Sequence, residues 1–321
     1  MNSLLIIGGT GFFGKSILDA FKRGLLNPWK VSMVIVMARN ASSLAKTAPE
    51  LVNDNVSLVD ADITKATELP FAEFVIHAAA STDLRDYLAR PSEEKANIEA
   101  GTLNYCNLAN KYHKKSKIVY VSSGAVYGVQ PSNLEYLSEN NEMISSSNMA
   151  EGKVDYALGK ITAEKAIIDL GKSGLNVSIA RCFAFVGRWL PRDQHFAVGN
   201  FIEDALNNRS ILVKAKYKVY RSYMYADDLV EWLMAVANQS SQLCPIYNVG
   251  SDDAIHVGDL AKIISAKMNV GLNQHPISSL YIDRYIPSVE KAKLELGLTV
   301  KYDLELAIEE TIKRILETSL L

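Results

Sequence analysis

The chain has little cysteine, almost no excess of either charge and no long apolar run. Its three cysteines are an odd number at wide spacings, which indicates neither a disulfide framework nor a zinc site and favours a reducing compartment. A net charge of −2 does not indicate binding to nucleic acid or to an acidic membrane. No segment approaches the roughly 20 apolar residues of a membrane span. The start, "MNSLLIIGGTG", lacks the basic region of a signal peptide. We therefore expect a soluble cytoplasmic protein, and the five histidines, which show no ligand spacing, predict no metal site.

Short apolar runs alternate with longer amphipathic segments over the first 185 residues or so. The apolar runs predict buried strands, and apolar residues at helical spacing fill the gaps between them. The predicted strands cover 3–9, 31–38, 56–62, 74–80, 117–123 and 176–183. Near-continuous apolar strands separated by helices are typical of an α/β fold, in which a doubly wound parallel sheet is covered on both faces.

Beyond about residue 185 the pattern becomes mostly helical. The predicted elements are helices over 200–208, 226–239, 257–268, 289–297 and 303–317, and a short strand over 244–251. In the last helix we predict Asp303 as the N-cap, with Leu306, Ile308, Ile312 and Ile315 packing inward.

A glycine-rich segment, "GGTGFFG", directly follows the first predicted strand and opens the first helix. Its residues of interest are Gly8, Gly11, Phe12, Phe13 and Gly14. The three glycines have the spacing that permits a tight turn, close approach of the backbone to a pyrophosphate, and close helix–strand packing. The helix N-terminus would offer N–H groups and partial positive charge to that anion. A plain strand-to-helix turn is the alternative, but the position of the motif favours dinucleotide binding.

The end of the second predicted strand carries a cation where a cofactor with a free 2′-hydroxyl usually meets a carboxylate. Arg39 in "MARN" would pair with a 2′-phosphate, and Ser42 and Ser43 could add hydrogen bonds. This pattern favours NADP over NAD as the cofactor. An arginine stacked on adenine, which either cofactor allows, is the alternative. Asp62 could accept from the adenine amino group, with Ile63 against the ring.

Five segments stand in an order that resembles a known family. They are "GGTGFFG" at 8–14, "HAAA" at 77–80, "NIEAGTLNYCNLA" at 97–109, "VSSGAVYG" at 121–128 and Tyr156-x-x-x-Lys160. The order resembles the extended short-chain dehydrogenase/reductase family, in its branch of nucleotide-sugar epimerases, dehydratases and ketoreductases. Similar segments at 221–233, 247–251 and 289–297 extend the resemblance over essentially the whole chain.

The resemblance implies a Rossmann-type sheet and a smaller, mostly helical substrate lobe. It also implies cofactor contacts at Ala78, Ala79 and Asn97, although Asn97 could instead be a helix cap. We predict a dinucleotide-binding domain over 1–181 plus about 223–250, and a substrate lobe over about 182–222 plus 251–321. A homodimer paired through the helices of 97–110 and 156–169 is a further implication.

The chemistry that the resemblance implies agrees with three side chains. Tyr156 and Lys160, at positions i and i+4, face the same way on a helix. The ammonium of Lys160 should favour the phenolate and lower the pKa of Tyr156, so that the phenol can act as general acid or base. Ser123, at the end of a predicted strand, could bond the reacting oxygen. The resemblance adds that Lys160 holds the nicotinamide ribose. A surface contact of the tyrosine with the lysine is the alternative.

For the substrate, the resemblance implies a nucleotide-diphosphate sugar. An arginine at the position of Arg221 clamps the diphosphate, and an asparagine at the position of Asn200 contacts the nucleotide. A surface ion pair and a helix cap are the alternatives for these two residues. Thr82 is placed to touch the sugar. His195 could be a second acid or base, or a packing residue of its loop.

The residues near Ser123 discriminate among the reactions of the family. A 4,6-dehydratase usually carries an Asp-Glu pair just after the catalytic hydroxyl, where this chain has Gly124 and Ala125. A 3,5-epimerising reductase usually adds a cysteine and a histidine, but Cys182 lies on a different strand from Ser123. The remaining activities are 4-ketoreductase and 4-epimerase. Ala184 replaces an asparagine common in epimerases.

The predicted NADP preference favours a 4-ketoreductase of an NDP-4-keto-6-deoxyhexose. A 4-epimerase with tightly bound NAD is the alternative, and a non-catalytic NADP-binding sensor or scaffold is a more remote one. The setting that the resemblance implies is supply of a deoxysugar for a bacterial surface polysaccharide or a glycosylated metabolite.

Overall fold

The strands of the described residues form one large sheet and three small ones. The computed structural model describes residues 1–81, 83–143, 149 and 153–319. The strands are β1 (Asn2–Ile7), β2 (Val31–Ala38), β3 (Val56–Asp60), β4 (Phe74–His77), β5 (Lys117–Ser123), β6 (Asn176–Cys182), β7 (Phe185–Val186), β8 (Ile211–Val213), β9 (Lys218–Arg221), β10 (Met224–Tyr225), β11 (Ile246–Val249), β12 (Ile255–His256), β13 (Leu272–Gln274) and β14 (Ile282–Tyr285).

The large sheet has seven parallel strands in the order β11-β6-β5-β4-β1-β2-β3. The predicted α/β fold with a doubly wound parallel sheet is therefore confirmed. From β1 the chain builds outward through β2 and β3, then returns to the other side of β1 and continues with β4. The crevice beyond the carboxyl ends of β1 and β4 is where sheets of this kind bind ligands, because the flanking connections diverge there.

Ten α-helices flank these sheets within the described part of the chain. They are α1 (Phe12–Lys22), α2 (Leu44–Thr47), α3 (Leu84–Ala89), α4 (Pro91–Tyr112), α5 (Lys153–Lys172), α6 (Ala197–Leu206), α7 (Ala226–Asn238), α8 (Val257–Met268), α9 (Glu290–Leu296) and α10 (Leu304–Ser319). None of the described helices has the length and apolarity needed to cross a membrane.

Two apolar cores cover the two faces of the large sheet. On one face Leu4 and Ile6 of β1 pack with residues of α1 and α7. On the other face Leu5 and Ile7 pack with residues of α4 and α5. This division follows from the sequence, because successive side chains of a strand point to opposite faces of its sheet.

A third core holds the C-terminal region together. It joins α6, α8 and α10 to the short strands β8 and β10. The chain does not stay in this region once it has entered it, since β11 pairs with β6 at the edge of the large sheet. The domain boundaries proposed from the sequence stay a prediction.

The last helix confirms its predicted start and corrects one packing assignment. The Asp303 carboxylate accepts a hydrogen bond of 2.9 Å from the Leu306 backbone N–H, as expected of an N-cap. Ile308, Ile312 and Ile315 are buried, but the prediction that Leu306 packs inward is wrong, because its side chain is 40% exposed. Leu306 precedes Ile308 by two positions, about 200° around the helix, and so lies on the opposite side.

The glycine loop fixes how closely α1 approaches β1. Gly8 has φ of +87°, and a Cβ atom there would lie 2.6 Å from the Ala79 Cα atom. A Cβ atom on Gly14 would overlap the Gly9 carbonyl oxygen, whereas one on Gly11 would meet nothing within 4 Å. Gly14 is therefore required by packing of the helix on the loop, and Gly11 is not.

The contrast between these two positions gives a stability test. Gly14→Ala should lower the free energy of unfolding by about 2 kcal/mol or more, because rigid backbone must move to admit the methyl group. Gly11→Ala is the matched control and should change stability little, since its backbone has φ of −86° and open space around it. Urea unfolding measures both. Equal stability of the two variants would contradict this packing.

Candidate active site

The predicted phosphate-binding residues come together at the crevice. The Gly8 N–H donates to Met37 O and the Ala78 N–H donates to Ile7 O, both at 2.8 Å. These bonds place the predicted cofactor residues Ala78 and Ala79 directly against the glycine loop. The carboxyl ends of β1, β2 and β4 thus converge around that loop.

The start of α1 fits the predicted dinucleotide. Gly11 is its N-cap and has no side chain to occupy the first N–H groups of the helix, and the first turn contains no acidic residue. The open space at Gly11 leaves these donors accessible to an anion. The Phe12 and Phe13 rings pack near Phe185, with centroid distances of 6.2 and 5.5 Å, and not over these N–H groups. Any cofactor contact of these two residues would therefore come from their backbone.

The predicted ribose and adenine residues also lie near one another. Arg39 is exposed at the end of β2, and its positive charge contributes to lowering the pKa of Asp62. Burial opposes that lowering, but the Thr64 N–H and hydroxyl both donate to Asp62 Oδ1 at 2.9 Å. Ile63 is buried against α4, where it lies under Gly101. The cofactor contacts of all three residues stay predictions.

A carboxylate that sequence reasoning missed lies beside the predicted 2′-phosphate site. The Ser42 backbone N–H donates to Asp60 Oδ1 at 2.8 Å, and this bond lowers the pKa of Asp60. Ser42 was expected to help bind a phosphate, but in this structure its N–H is committed to an acid. Asp60 ends β3, next to the end of β2, so its proximity comes from strand order and was not visible as a motif.

The three proposed catalytic residues meet at the carboxyl ends of β5 and β6. Ser123 is the last residue of β5, and its hydroxyl accepts from the Ala125 N–H at 3.2 Å. Tyr156 lies in the first turn of α5, close enough to Ser123 for that hydroxyl to lower the phenol pKa. Lys160 follows one turn later, with its Nζ atom 5.9 Å from the centre of the Tyr156 ring.

The expected lowering of the Tyr156 pKa by Lys160 is wrong for this structure. Burial dominates and raises the pKa of Tyr156 to about 12, although the Ser123 hydroxyl opposes this. The Lys160 ammonium is directed elsewhere, since it donates to Val121 O at 2.8 Å and to Tyr120 Oη at 3.3 Å. Burial in turn lowers the pKa of Lys160 to about 8.

Two further tyrosines adjoin Tyr156, and neither was found from the sequence. The Tyr87 ring meets Tyr156 edge-on, with centroids 5.3 Å apart. The Tyr285 hydroxyl would lie 2.7 Å from a Cβ atom on Gly124, and the Ser123 hydroxyl acts on the pKa of Tyr285, which burial raises. Both tyrosines come from elements remote in sequence, α3 and β14. An isolated tyrosine in those segments carried no signal.

The predicted diphosphate residue lies next to this cluster. Arg221 ends β9 and pairs in register with Tyr285 of β14. Its guanidinium donates to Asp283 Oδ2 at 2.7 Å, with the Arg221 side chain 21% exposed. Arg221 therefore forms the ion pair that was the alternative for this residue, at a place where it also faces the site. Asn200 Nδ2 donates to Gln194 O at 2.8 Å and so ties the preceding loop to α6.

The remaining predicted residues are less closely connected to the cluster. Thr82 lies outside the described residues. Asn97 is exposed in the middle of α4, so the alternative that it caps a helix is wrong, and its cofactor contact stays a prediction. His195 is exposed and its ring lies 4.2 Å from the Phe196 ring, and its role as a second acid or base stays a prediction.

A buried ion pair ties α5 to the large sheet. Glu164 of α5 accepts from Arg181 Nη2 at 2.7 Å and from the Ser122 hydroxyl at 2.5 Å. Arg181 also donates to the Tyr127 hydroxyl at 3.0 Å, which in turn donates to Asn248 Oδ1 at 2.7 Å. This network joins α5 to β5, β6 and β11, and it fixes the turn that carries Lys160.

Comparison with known proteins agrees with the fold. A model of the NAD dependent epimerase/dehydratase family matches residues 4–250. The chain therefore belongs to the NAD dependent epimerase/dehydratase family. It is 25% identical over 316 residues to UDP-glucuronic acid decarboxylase 1 of Xenopus tropicalis, covering 96% of this chain and 71% of that protein.

Two solved structures have a similar fold. UDP-glucose 4-epimerase of Thermotoga maritima, with UDP-glucose, has a TM-score of 0.80 at 20% identity, covering 99% of this chain and 100% of the other. The dTDP-glucose 4,6-dehydratase DesIV of Streptomyces venezuelae, with NAD and TYD bound, has a TM-score of 0.81 at 20% identity, covering 98% and 97%. At these identities the likeness concerns the fold alone.

A buried histidine near the site predicts a pH dependence of stability. His77 ends β4 and is 1% exposed, and neither ring nitrogen has a hydrogen-bond partner among the described residues. Burial lowers its pKa to about 3, below the value of about 6.5 for an unfolded chain. The unfolded state therefore binds an extra proton as the pH falls below 6.5. The free energy of unfolding should therefore fall by about 1.4 kcal/mol for each pH unit from pH 6.5 down to pH 3.

Urea unfolding between pH 7.5 and pH 4.5 should reveal this slope as a difference between variants. His77→Phe should show a weaker loss of stability towards acid than the natural protein, because it cannot gain the proton. His275→Gln, at an exposed position, is the control and should retain the natural slope. Identical slopes for His77→Phe and the natural protein would refute the assignment.

Proposed function

We propose that the protein is an NAD(P)-dependent oxidoreductase acting at C4 of a nucleotide sugar, as a 4-ketoreductase of an NDP-4-keto-6-deoxyhexose. The observation that carries this proposal is the convergence of Tyr156, Ser123 and Lys160 beside the crevice that the glycine loop borders. When bound, the nicotinamide supplies the hydride for the sugar carbon. The side chains of the protein manage the proton and the orientation of the sugar.

The protonation state of Tyr156 favours reduction. A phenol with a pKa of about 12 is protonated at neutral pH and so enters the reaction as a proton donor. Tyr156 would give its proton to the C4 oxygen, while the Ser123 hydroxyl bonds the same oxygen and orients it. The Lys160 ammonium would stabilise the phenolate that remains. Oxidation of an alcohol would require the phenolate beforehand, which burial disfavours.

The packing around Ser123 disfavours dehydration. A Cβ atom on Gly124 would lie 2.6 Å from the Phe183 ring and 2.7 Å from the Tyr285 hydroxyl, so the site has no room for a longer side chain there. Ala125 offers no acid or base. The two positions that would supply a carboxyl pair to a dehydratase are thus filled by residues without ionisable groups.

A 4-epimerase with tightly bound NAD is the second candidate, and one observation favours it. Asp60 holds the Ser42 N–H beside the place where a 2′-phosphate would lie, and a carboxylate there repels a phosphate. Arg39, in contrast, favours NADP over NAD. The relatives and structural neighbours include a decarboxylase, a 4-epimerase and a 4,6-dehydratase, so they support nucleotide-sugar chemistry without selecting among these reactions.

The substrate lobe supports an anionic substrate. Arg221 lies in register with Tyr285, and the charge of Arg221 acts on the pKa of Lys153 at the start of α5. A diphosphate would draw Arg221 from Asp283, since arginine suits phosphate geometry. Contacts of Asn200 and Thr82 with the substrate are part of the same proposal, as is a homodimer formed through α4 and α5.

Turnover with a panel of substrates tests the proposed reaction. NDP-4-keto-6-deoxy sugars, UDP-glucose and UDP-glucuronic acid are each supplied with NADPH or NADH, and absorbance at the reduced nicotinamide band is followed. Net oxidation of the cofactor with a 4-keto sugar is expected. An isomerised sugar without net change in cofactor would instead identify the epimerase.

Replacing the phenol separates an enzyme from a binding module. Tyr156→Phe should lower kcat by about 10²–10⁴-fold while cofactor affinity is retained, because only the proton donor is removed. Tyr105→Phe is a matched control on α4, where the buried Tyr105 hydroxyl lies 3.3 Å from His113 Nδ1. Turnover of Tyr156→Phe at the level of this control would contradict the catalytic role.

A charge removal tests the cofactor preference. Arg39→Ala should raise the KM for NADPH by about ten- to hundredfold and leave that for NADH nearly unchanged, since it removes a charge-assisted bond to the 2′-phosphate. Lys65→Ala removes an exposed cation nearby and should leave both KM values almost unchanged. If Arg39→Ala raises the KM values for NADPH and NADH by the same factor, Arg39 does not bind the 2′-phosphate.

A further inference from the structure

The Lys160 ammonium is one of the few charges buried in the core of the large sheet. Its side chain is 2% exposed, so its three N–H groups need acceptors from the protein or from a ligand. Two acceptors are present among the described residues, Val121 O at 2.8 Å and Tyr120 Oη at 3.3 Å. No acceptor for the third N–H lies among the described residues, and the centre of the Tyr156 ring is 5.9 Å from Nζ.

Tyr120 is held in a fixed orientation by its own neighbours. It lies in β5, is fully buried, and has its ring centroid 5.4 Å from that of His77. The Thr102 hydroxyl, which donates to Ile98 O at 2.9 Å, lies beside the Tyr120 hydroxyl. A hydrogen bond with Thr102 lowers the pKa of Tyr120, against the larger raising effect of burial. The Thr102 hydroxyl thus holds the Tyr120 hydroxyl in place between α4 and Lys160.

We infer that Tyr120 is a positioning residue for the proposed reaction, whose hydroxyl, oriented by Thr102, keeps the Lys160 ammonium charged and leaves one of its N–H groups directed at the crevice. This inference rests on the proposed function, because the charge on Lys160 matters for turnover only if Tyr156 exchanges a proton. Tyr120 itself lies behind Lys160 and is not proposed to touch the substrate.

The other ionisable groups facing Lys160 do not replace this contact. Glu164 on α5 is committed to Arg181 and Ser122. Cys182 on β6 and His77 on β4 are both neutral near pH 7, because burial raises the pKa of the thiol and lowers that of the imidazole. Tyr156 is the partner in the reaction. Burial lowers the pKa of Lys160, and the Glu164 charge partly opposes this. The direct contacts of the ammonium are neutral dipoles, of which the Tyr120 hydroxyl is the one that a substitution can remove.

Tyr120→Phe isolates the hydroxyl, because the ring that lies 4.8 Å from Nζ remains. Loss of one acceptor should disfavour the ammonium about tenfold, which moves the titration midpoint of Lys160 down by about one pH unit. The alkaline limb of the kcat/KM profile should move down with it. Tyr105→Phe, which removes an equally buried hydroxyl remote from Lys160, should shift neither.

The midpoint is measured directly by NMR of protein labelled with ¹⁵N at lysine Nζ, with Lys160→Arg used to assign the signal. A lowered midpoint in Tyr120→Phe, together with a displaced alkaline limb, supports the inference. An unchanged midpoint in folded Tyr120→Phe overturns it. If Tyr120→Phe does not fold, Thr102→Val replaces it and should shift the midpoint in the same direction; an unchanged midpoint there overturns the inference equally.

The proposed function and the inferred role of Tyr120 are contradicted by different results. If the natural protein turns over no nucleotide sugar, the proposed function fails, and with it the role of Tyr120 in turnover, whatever the midpoint shows. If turnover is found but the midpoint of Lys160 does not depend on Tyr120, only the present inference fails.

Discussion

A buried ion pair between Glu164 and Arg181 sets the position of the proposed catalytic helix. Removing two charges from water is costly, so such a pair persists only where hydrogen bonds satisfy both groups, and here Ser122 and Tyr127 do so. Tyr156, Lys160 and Glu164 stand four residues apart on α5 and so share one face of the helix. The turn that anchors Glu164 to β6 therefore also directs Lys160 and Tyr156 towards the carboxyl edge of the sheet.

The C-terminal region adds to the candidate site through one strand pairing. Because β14 runs parallel to β9 with Tyr285 opposite Arg221, this region delivers a phenol and a guanidinium to the same place. Gly124 makes this possible, since any side chain there would occupy the space of Tyr285 and Phe183. The absence of an acidic residue after Ser123 and the presence of Tyr285 are thus two consequences of one packing arrangement.

Most of the fold could be predicted from the sequence because its signals are local. The seven strands of the large sheet and the glycine turn were all predicted, since buried strands and tight turns leave short-range patterns. Residues joined only by the fold left no such pattern. Tyr285, Tyr87, Tyr120 and Asp60 reach the site through strand order and helix packing.

The remaining differences between prediction and structure come from the surroundings of a side chain in the fold and not from its position in the sequence. The pairing of Tyr156 with Lys160 was visible as a spacing of four, but the pKa of the phenol depends on burial and on where the ammonium finds its acceptors. Neither can be read from spacing. Leu306 shows the same limit on a smaller scale, because apolar character alone did not decide which side of α10 it occupies.

The central step of the proposed reaction is the transfer of one hydride to C4 of the sugar, with Tyr156 supplying the proton. The direct measurement uses a 4-keto nucleotide sugar and a reduced cofactor carrying deuterium at both hydrogens of nicotinamide C4, with the product analysed by NMR. The account predicts deuterium at C4 of the sugar, and none in the same experiment with Tyr156→Phe over the same time. Deuterium at another carbon, or an unlabelled product, would contradict it.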